Sequence, residues 1–203
     1  MIQMEINDIK LFGKYSFDIK IKDPGLEEAI NLEPVYMPQS YGRHAGARFG
    51  KSDVNIVERF ANKLMSPGHK GKAHWKTSEF CTGKFNKAYS ITKKTFEIIN
   101  KKTNENPIEV LVRAIENASP RDEVTVIELG GTRVPKQVDT SPQRRVDLAL
   151  RWITQGAFQS VAHKKTNIEE GLSREIIAAS KDDQKSFSIS KKIDMERQAA
   201  ASR

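Results

Sequence analysis

The residues of this chain that could bind a metal ion or act as nucleophiles are few, and their spacing forms no recognised motif. His69, His74 and Cys81 share one segment, but their spacing matches no common zinc pattern and no fourth ligand is evident. An inert thiol is the simpler interpretation of Cys81. No phosphate-binding glycine loop follows a predicted strand, and no serine elbow or pair of catalytic carboxylates is present. The sequence therefore predicts no enzyme, no metal site and no cofactor.

Positive charge is concentrated along the chain rather than spread evenly. The 203 residues carry 34 Lys and Arg against 26 Asp and Glu, a net charge of +8. Residues 41–103 alone carry 14 basic and 4 acidic side chains, whereas residues 1–40 and 104–140 are each net acidic. Such a concentration of positive charge favours a polyanionic partner, and nucleic acid is the commonest polyanion in the cytosol. A solvated, lysine-rich surface is the alternative explanation.

The first candidate RNA-binding group lies in residues 40–51. Arg43, His44, Arg48 and Lys51 are interleaved there with two aromatic residues and no hydrophobic period. Segments of this composition are typically extended without a partner and fold onto RNA, with charge for affinity and rings for stacking on unpaired bases. A flexible linker remains the alternative, although a linker needs no aromatic residues.

A second group lies on a predicted helix, where Lys87, Lys94 and Lys101 fall in a narrow stripe at about 100° per residue. A phosphate track and a solvated face explain this stripe equally well.

The third group opens the helix that begins SPQRRVDLALRW. Arg144 and Arg145 lie in its first turn, where the helix dipole disfavours cations. A phosphate bound by the free N–H groups and the two guanidinium groups would make them favourable. A nearby acid such as Asp139 would have the same effect, so the two explanations stay open.

Hydrophobic periodicity predicts a mainly α fold: a single helical domain of about six helices with a protruding two-stranded β-hairpin arm. Residues 1–51 form an extended N-terminal segment with a short strand at 11–22, and residues 52–203 form the helical domain. Asp53 is the expected N-cap of the first helix, Asn106-Pro107 begins the third, and Thr166 opens a capping box. The hairpin spans about residues 123–139 and turns at Gly130-Gly131.

Other features concern the compartment. A single cysteine forms no intrachain disulfide, which favours a reducing, cytoplasmic compartment. No apolar run approaches the roughly 20 residues of a membrane span, and residues 1–10 lack the apolar stretch of a secretory signal. We therefore expect no membrane partner and no small-molecule substrate.

Nearly the whole chain resembles, in collinear order, the family of the small-subunit ribosomal protein numbered seven, in its archaeal and eukaryotic form. The most specific matching stretches are NPIEVLVRAIENASPRDEV and SPQRRVDLALR. Further matching pieces are LFGKYSF, YGRHAGARF, IVERFANKLM, the Gly-Gly hairpin and IAASKDDQKSFSISKKIDMER.

The resemblance implies a protein in the head of the small ribosomal subunit. It would bind the three-prime major domain of the small-subunit rRNA and nucleate head assembly, beside other head and platform proteins. Its hairpin would lie near the exit-site tRNA and the mRNA exit path.

The family motifs also imply which residues contact RNA. The contacts that these motifs imply are Arg43, His44, Arg48, Lys84, Lys87, Arg144, Arg145 and Arg151. Lys51 and Lys94 are further expected contacts, from the composition and helical spacing of their own segments. The hairpin residues expected to face tRNA or mRNA are Leu129, Gly130, Gly131, Thr132, Arg133 and Lys136. The loop at residues 66–82 looks longer than in archaeal members of the family.

Two other functional classes are open from the residues alone. A DNA-binding regulator would place Arg144 and Arg145 in a major groove, but it predicts a short helix before that helix rather than a hairpin. An RNA-modifying enzyme would need a cofactor pocket for which the sequence carries no motif.

Overall fold

The computed structural model describes residues 9–66, 83–162 and 164–202, and within them it is mainly helical with one β-hairpin. This confirms the predicted fold class. The six α-helices of these ranges are α1 (Ile56–Leu64), α2 (Phe85–Thr103), α3 (Pro107–Ala118), α4 (Pro142–Val161), α5 (Ile168–Ser180) and α6 (Phe187–Ala200). The hairpin consists of β1 (Asp122–Leu129) and β2 (Thr132–Asp139), which pair in antiparallel fashion. No helix in the described ranges is long and apolar enough to cross a membrane.

The helix starts show where local signals suffice and where they do not. α3 begins as predicted, because the Asn106 side chain accepts a hydrogen bond from Ile108 N and Pro107 takes the first helical position. The predicted cap of α1 is wrong: Asn55, not Asp53, accepts from a backbone N–H of the first turn. The predicted capping box of α5 is also wrong, since the helix begins after Asn167 without a side-chain cap.

The core is built around α5, which contacts α2, α3, α4 and α6. Gly171 lies where α5 crosses α4: an added Cβ would collide with Val161 Cγ2 and lie 3.2 Å from the Ala157 carbonyl oxygen. The helices approach closely because this position has no side chain. The large side chains that are fully buried include Phe60, Phe96, Ile99, Ile108, Leu111, Ile115, Leu150 and Ile153.

The N-terminal segment packs against this core rather than projecting as an arm. Leu11 and Tyr15 form an isolated bridge, and both side chains are buried together with Phe17. A 3-10 helix at Pro24–Ala29 follows the extended stretch. Residues 40–51, which the sequence predicts as extended, form a series of turns around a 3-10 helix at Arg43–Gly46. These turns bring the basic segment back over the helical domain.

The hairpin is anchored at its base and free at its tip. Gly130 and Gly131 both have positive φ. A two-residue turn whose twist matches that of the flanking strands requires positive φ at both positions. Pro135 pairs with Val126 and is tolerated because both strands of a two-stranded sheet are edges. The base contacts α6, and Gln137 N donates to the Ser202 carbonyl oxygen at 3.3 Å.

Candidate nucleic-acid interface

A groove of about 530 Å³ lies between the 40–51 segment and the N-terminal half of α4. We call it the α4 groove. The polar side chains that line it are His44, Lys51, Ser141, Gln143, Arg144, Asp147 and Arg151, and Phe49 contributes a ring. His44 and Lys51 come from one predicted RNA-binding group, and Arg144 and Arg151 come from another almost a hundred residues further along the chain. The fold therefore brings two separated basic stretches to one concave surface.

Asp147 is the single carboxylate among the lining residues of the α4 groove. Its carboxylate oxygens lie 3.1 Å from Lys51 Nζ, 3.4 Å from Arg59 Nη2 and 3.9 Å from Lys63 Nζ. Burial raises the pKa of Asp147, but the charges of Lys63, Arg59 and Lys51 and the hydrogen bond from Lys51 lower it by more, so it lies below its ordinary value. Asp147 thus stays ionised and joins the basic segment, α1 and α4 while the groove keeps an excess of cations.

We expect the stabilisation contributed by Asp147 to depend on pH. Because its folded pKa is lowered, this stabilisation is fully present above the ordinary aspartate pKa of 3.8 and is lost as pH falls through the lower folded pKa. In urea denaturation, Asp147→Asn should be clearly less stable than the wild type at about pH 6, and the difference should shrink towards about pH 2 to 3. Asp23 has a lowered pKa as well, but it titrates in both proteins and cancels. A difference that stays constant over this range would contradict the assignment.

Arg145 does not line the groove and is buried, with 8% of its surface exposed. Its Nη2 donates to Asp23 Oδ2 at 2.6 Å and to Ser119 Oγ at 3.2 Å, and its Nε donates to the Pro120 carbonyl oxygen at 3.1 Å. Burial raises the pKa of Asp23, but hydrogen bonds from Arg145 and Gly25 N lower it further than burial raises it. Arg145 therefore joins the N-terminal segment to α4, and we do not include it among the proposed RNA contacts.

Arg144 keeps a surface position beside the groove. Its Nε and Nη2 each lie 2.7 Å from Glu123 Oε2 on β1, yet 53% of its side chain is exposed. The acidic neighbours of the two arginines are thus Glu123 and Asp23 rather than Asp139. Glu123 itself is only 18% exposed, but the open side of the Arg144 guanidinium group allows a phosphate to share it.

The remaining basic residues of the 40–51 segment flank the groove. Arg43 and Arg48 are exposed, and neither forms an ion pair with any residue that the structure describes. The Arg48 guanidinium lies over the Phe49 ring, 5.1 Å from its centroid. Tyr41 is 77% exposed and Phe49 63% exposed. Exposed rings beside unpaired cations are suited to stacking on bases.

The basic residues of α2 are not part of the α4 groove. Lys84 is the residue before α2, Lys87 follows in the first turn, and both are exposed. Lys94 is also exposed, and its Nζ lies 3.6 Å from Glu169 Oε1 of α5. The lysine stripe therefore remains a separate candidate surface, with Lys94 partly neutralised by the protein itself.

Other predicted residues lie on the hairpin or outside the described ranges. Gly130, Gly131, Thr132, Arg133 and Lys136 are exposed on the free part of the hairpin, where Leu129 ends β1. His69, His74, Cys81 and nearly all of the 66–82 loop lie outside the described residues. Within the described residues, no group of three or more potential metal ligands occurs.

Asp147 is the main site residue that the sequence interpretation missed, although a signal for it exists. It lies three residues after Arg144 and four before Arg151, which places all three side chains on one helical face. An acid between two arginines at helical spacing indicates a charge network rather than an isolated basic patch.

The fold and this site together define a mainly helical protein with a basic groove and a β-hairpin arm. The sequence model of the family described as "Ribosomal protein S7p/S5e" matches residues 26–203. The "Small ribosomal subunit protein uS7" of Nanoarchaeum equitans is 51% identical over 196 residues, which cover 96% of this chain and 99% of that relative. The protein of the same name from Archaeoglobus fulgidus is 48% identical over 197 residues, covering 97% of this chain and 96% of that relative. The chain belongs to the S7p/S5e family of ribosomal proteins.

Proposed function

We propose that this chain is a non-catalytic structural constituent of the small ribosomal subunit in the cytoplasm. It binds the three-prime major domain of the small-subunit rRNA and nucleates assembly of the head beside other head and platform proteins. The observation that carries this proposal is the convergence of two separated basic stretches in the α4 groove. Full-length similarity to proteins named for the small ribosomal subunit supports the same role.

The α4 groove binds the rRNA backbone mainly through phosphate contacts. Lys51, Arg144 and Arg151 provide cations, and Arg43 and Arg48 extend the positive surface beyond the groove. The side chain before α4, that of Ser141, makes no capping hydrogen bond, so the first N–H groups of the helix remain free for an anion. Such contacts recognise the shape of folded RNA and hold its helices in one arrangement.

The tip of the hairpin lies near the exit-site tRNA and the mRNA exit path. Its exposed cations, Arg133 and Lys136, contact nucleic acid there, and the Gly130-Gly131 turn lets the backbone of the tip approach closely. Attachment at the base, to α6 and through Glu123 to Arg144 of α4, leaves the rest of the arm for these contacts.

The burial of Arg145 argues against the alternative of a DNA-binding regulator. That function requires Arg144 and Arg145 to enter a major groove together, whereas the three donor contacts of Arg145 are internal.

Crosslinking within assembled small subunits tests the proposal. Lysine- and arginine-containing peptides of the α4 groove should crosslink to the three-prime major domain, and peptides of the hairpin tip should crosslink to mRNA or exit-site tRNA. The two regions act as controls for each other, since they are expected to label different RNAs. Groove crosslinks confined to another rRNA domain would contradict the rRNA assignment, and a hairpin labelled only by that same rRNA would contradict the role of the arm.

A further inference from the structure

A chain of hydrogen bonds leads from the buried start of α1 to the wall of the α4 groove. Ser40 Oγ lies 2.6 Å from Glu58 Oε1 and 3.2 Å from His44 Nδ1. Glu58 is only 5% exposed, whereas His44 is half-buried and lines the groove. The Ser40 hydroxyl has one proton, so it can donate in only one of its two contacts.

The chemistry of Glu58 decides the direction of these hydrogen bonds. Glu58 is the third residue of α1, and the Ser40 hydroxyl, 2.6 Å from its Oε1, donates to it. A carboxylate only accepts hydrogen bonds, so the Ser40 proton is used in this contact. His44 Nδ1 must then carry a proton and donate to Ser40 Oγ. A neutral imidazole protonated at Nδ1 has its acceptor at Nε2.

The backbone beneath the imidazole is also held in place. The Ala47 N–H donates to the His44 carbonyl oxygen at 3.2 Å, and a Cβ at Gly50 would collide with that same oxygen. Gly50 is buried, so the turn has no space in which to relax. The position of His44 is therefore fixed by both its side chain and its main chain.

We propose that the Glu58–Ser40–His44 relay fixes the neutral tautomer of His44 so that Nε2 accepts a hydrogen bond from an RNA ribose 2′-hydroxyl in the α4 groove. The charged side chains around His44 in the groove and the adjoining cavity are Lys51, Arg59, Lys63, Arg144, Arg151 and Asp147. The cations among them only donate, and Asp147 is occupied by Lys51, Arg59 and Lys63.

This assignment rests on the proposed function, because it assumes that RNA occupies the groove. Phosphates accept hydrogen bonds and match the cations, whereas the 2′-hydroxyl is the donor of the sugar–phosphate backbone. A fixed acceptor beside these cations therefore adds discrimination between RNA and DNA to a surface that otherwise binds phosphate, whereas the neutral Ser141 and Gln143 can either donate or accept. Glu58 and Ser40 are positioning residues in this arrangement, and His44 contacts the ligand.

The tautomer can be measured in the free protein without any RNA. Nitrogen-15 spectra of histidine-labelled protein at about pH 8 should show His44 protonated at Nδ1 and not at Nε2. The His44→Ala spectrum assigns the signals. Ser40→Ala should shift the ring towards Nε2 protonation, the form that free histidine prefers, and Ser40→Thr should keep Nδ1 protonated because it retains the hydroxyl. A wild-type ring protonated mainly at Nε2 would overturn the relay.

The role of Nε2 can be measured with a transcript of the three-prime major domain that carries sparse, random 2′-deoxy substitutions. At one or a few positions, a 2′-deoxy nucleotide should weaken binding to the wild type and to Ser40→Thr by about three- to tenfold. The same positions should show no such effect with His44→Ala and a reduced effect with Ser40→Ala. Interference that is identical in all four proteins would overturn the role of His44. Failure of the wild type to bind the transcript would instead contradict the proposed function, and the tautomer would still decide the relay.

Discussion

Replacing Arg145 with alanine is expected to lower the free energy of unfolding by about 3 kcal/mol. Removing one partner of a buried, hydrogen-bonded ion pair typically costs about 3–5 kcal/mol, because the other charge is left without compensation. Here Asp23, Ser119 Oγ and the Pro120 carbonyl oxygen would all lose a donor. The lower end of the range applies because 23% of the Asp23 side chain remains exposed. Urea denaturation monitored by circular dichroism measures the change.

Arg144→Ala provides the matched control for this prediction. It removes the same type of side chain from the neighbouring position, but 53% of the Arg144 side chain is exposed, so water can replace it at Glu123 and the loss should be about 1 kcal/mol. If the two variants lose equal stability, or if Arg145→Ala weakens RNA binding at unchanged stability, Arg145 is a ligand contact and its structural assignment is wrong.

The second large effect concerns affinity for RNA. Replacing Arg43, Arg48 and Arg151 together with alanine is expected to weaken binding of the three-prime major-domain transcript by about a hundredfold at moderate salt. The dependence of log affinity on log salt should become less steep. Its slope should change by about three, one for each lost phosphate contact. None of the three forms an ion pair within the described part of the chain, so their removal leaves no carboxylate uncompensated. Filter binding over a salt series measures both quantities.

A triple variant with the same change in net charge separates local contacts from general electrostatics. Lys164, Lys165 and Lys181 are exposed and lie near the C-terminal ends of α4 and α5, where α4 ends about 15 Å beyond Arg151, the last groove residue on that helix. Their replacement with alanine should change the affinity by only a few fold. Equal losses in both triple variants would show that overall charge, rather than the α4 groove, determines binding.

The elements that the sequence predicts well are those specified by neighbouring residues. The start of α3 follows from Asn106 and Pro107, and the hairpin turn follows from two consecutive glycines between β-branched strands. The start of α4 agrees with prediction because Pro142 fixes its first turn. In each case the physical cause lies within a few residues, so periodicity and capping rules are sufficient.

The roles that the sequence could not supply depend on distant partners. Arg145 is paired with Asp23, a residue 122 positions away, whereas the acid that the sequence suggested was Asp139, six residues before it. Two arginines in one helical turn look alike locally, yet one is buried and the other exposed. Successive side chains of a helix point about 100° apart, so one of the two arginines faces the core and the other faces solvent. Which of them is buried depends on how the helix packs in the fold.

The hydrogen bond between Gln137 and Ser202 has a consequence for the order in which the molecule matures during translation. The base of the hairpin contacts α6, whose residues are added to the growing chain about sixty positions after the arm itself. A hairpin of two strands is marginal in water on its own, and Val126 and Val134 are exposed on it even in the finished fold. The direction of synthesis therefore makes the arm one of the last parts of the protein to reach its final orientation.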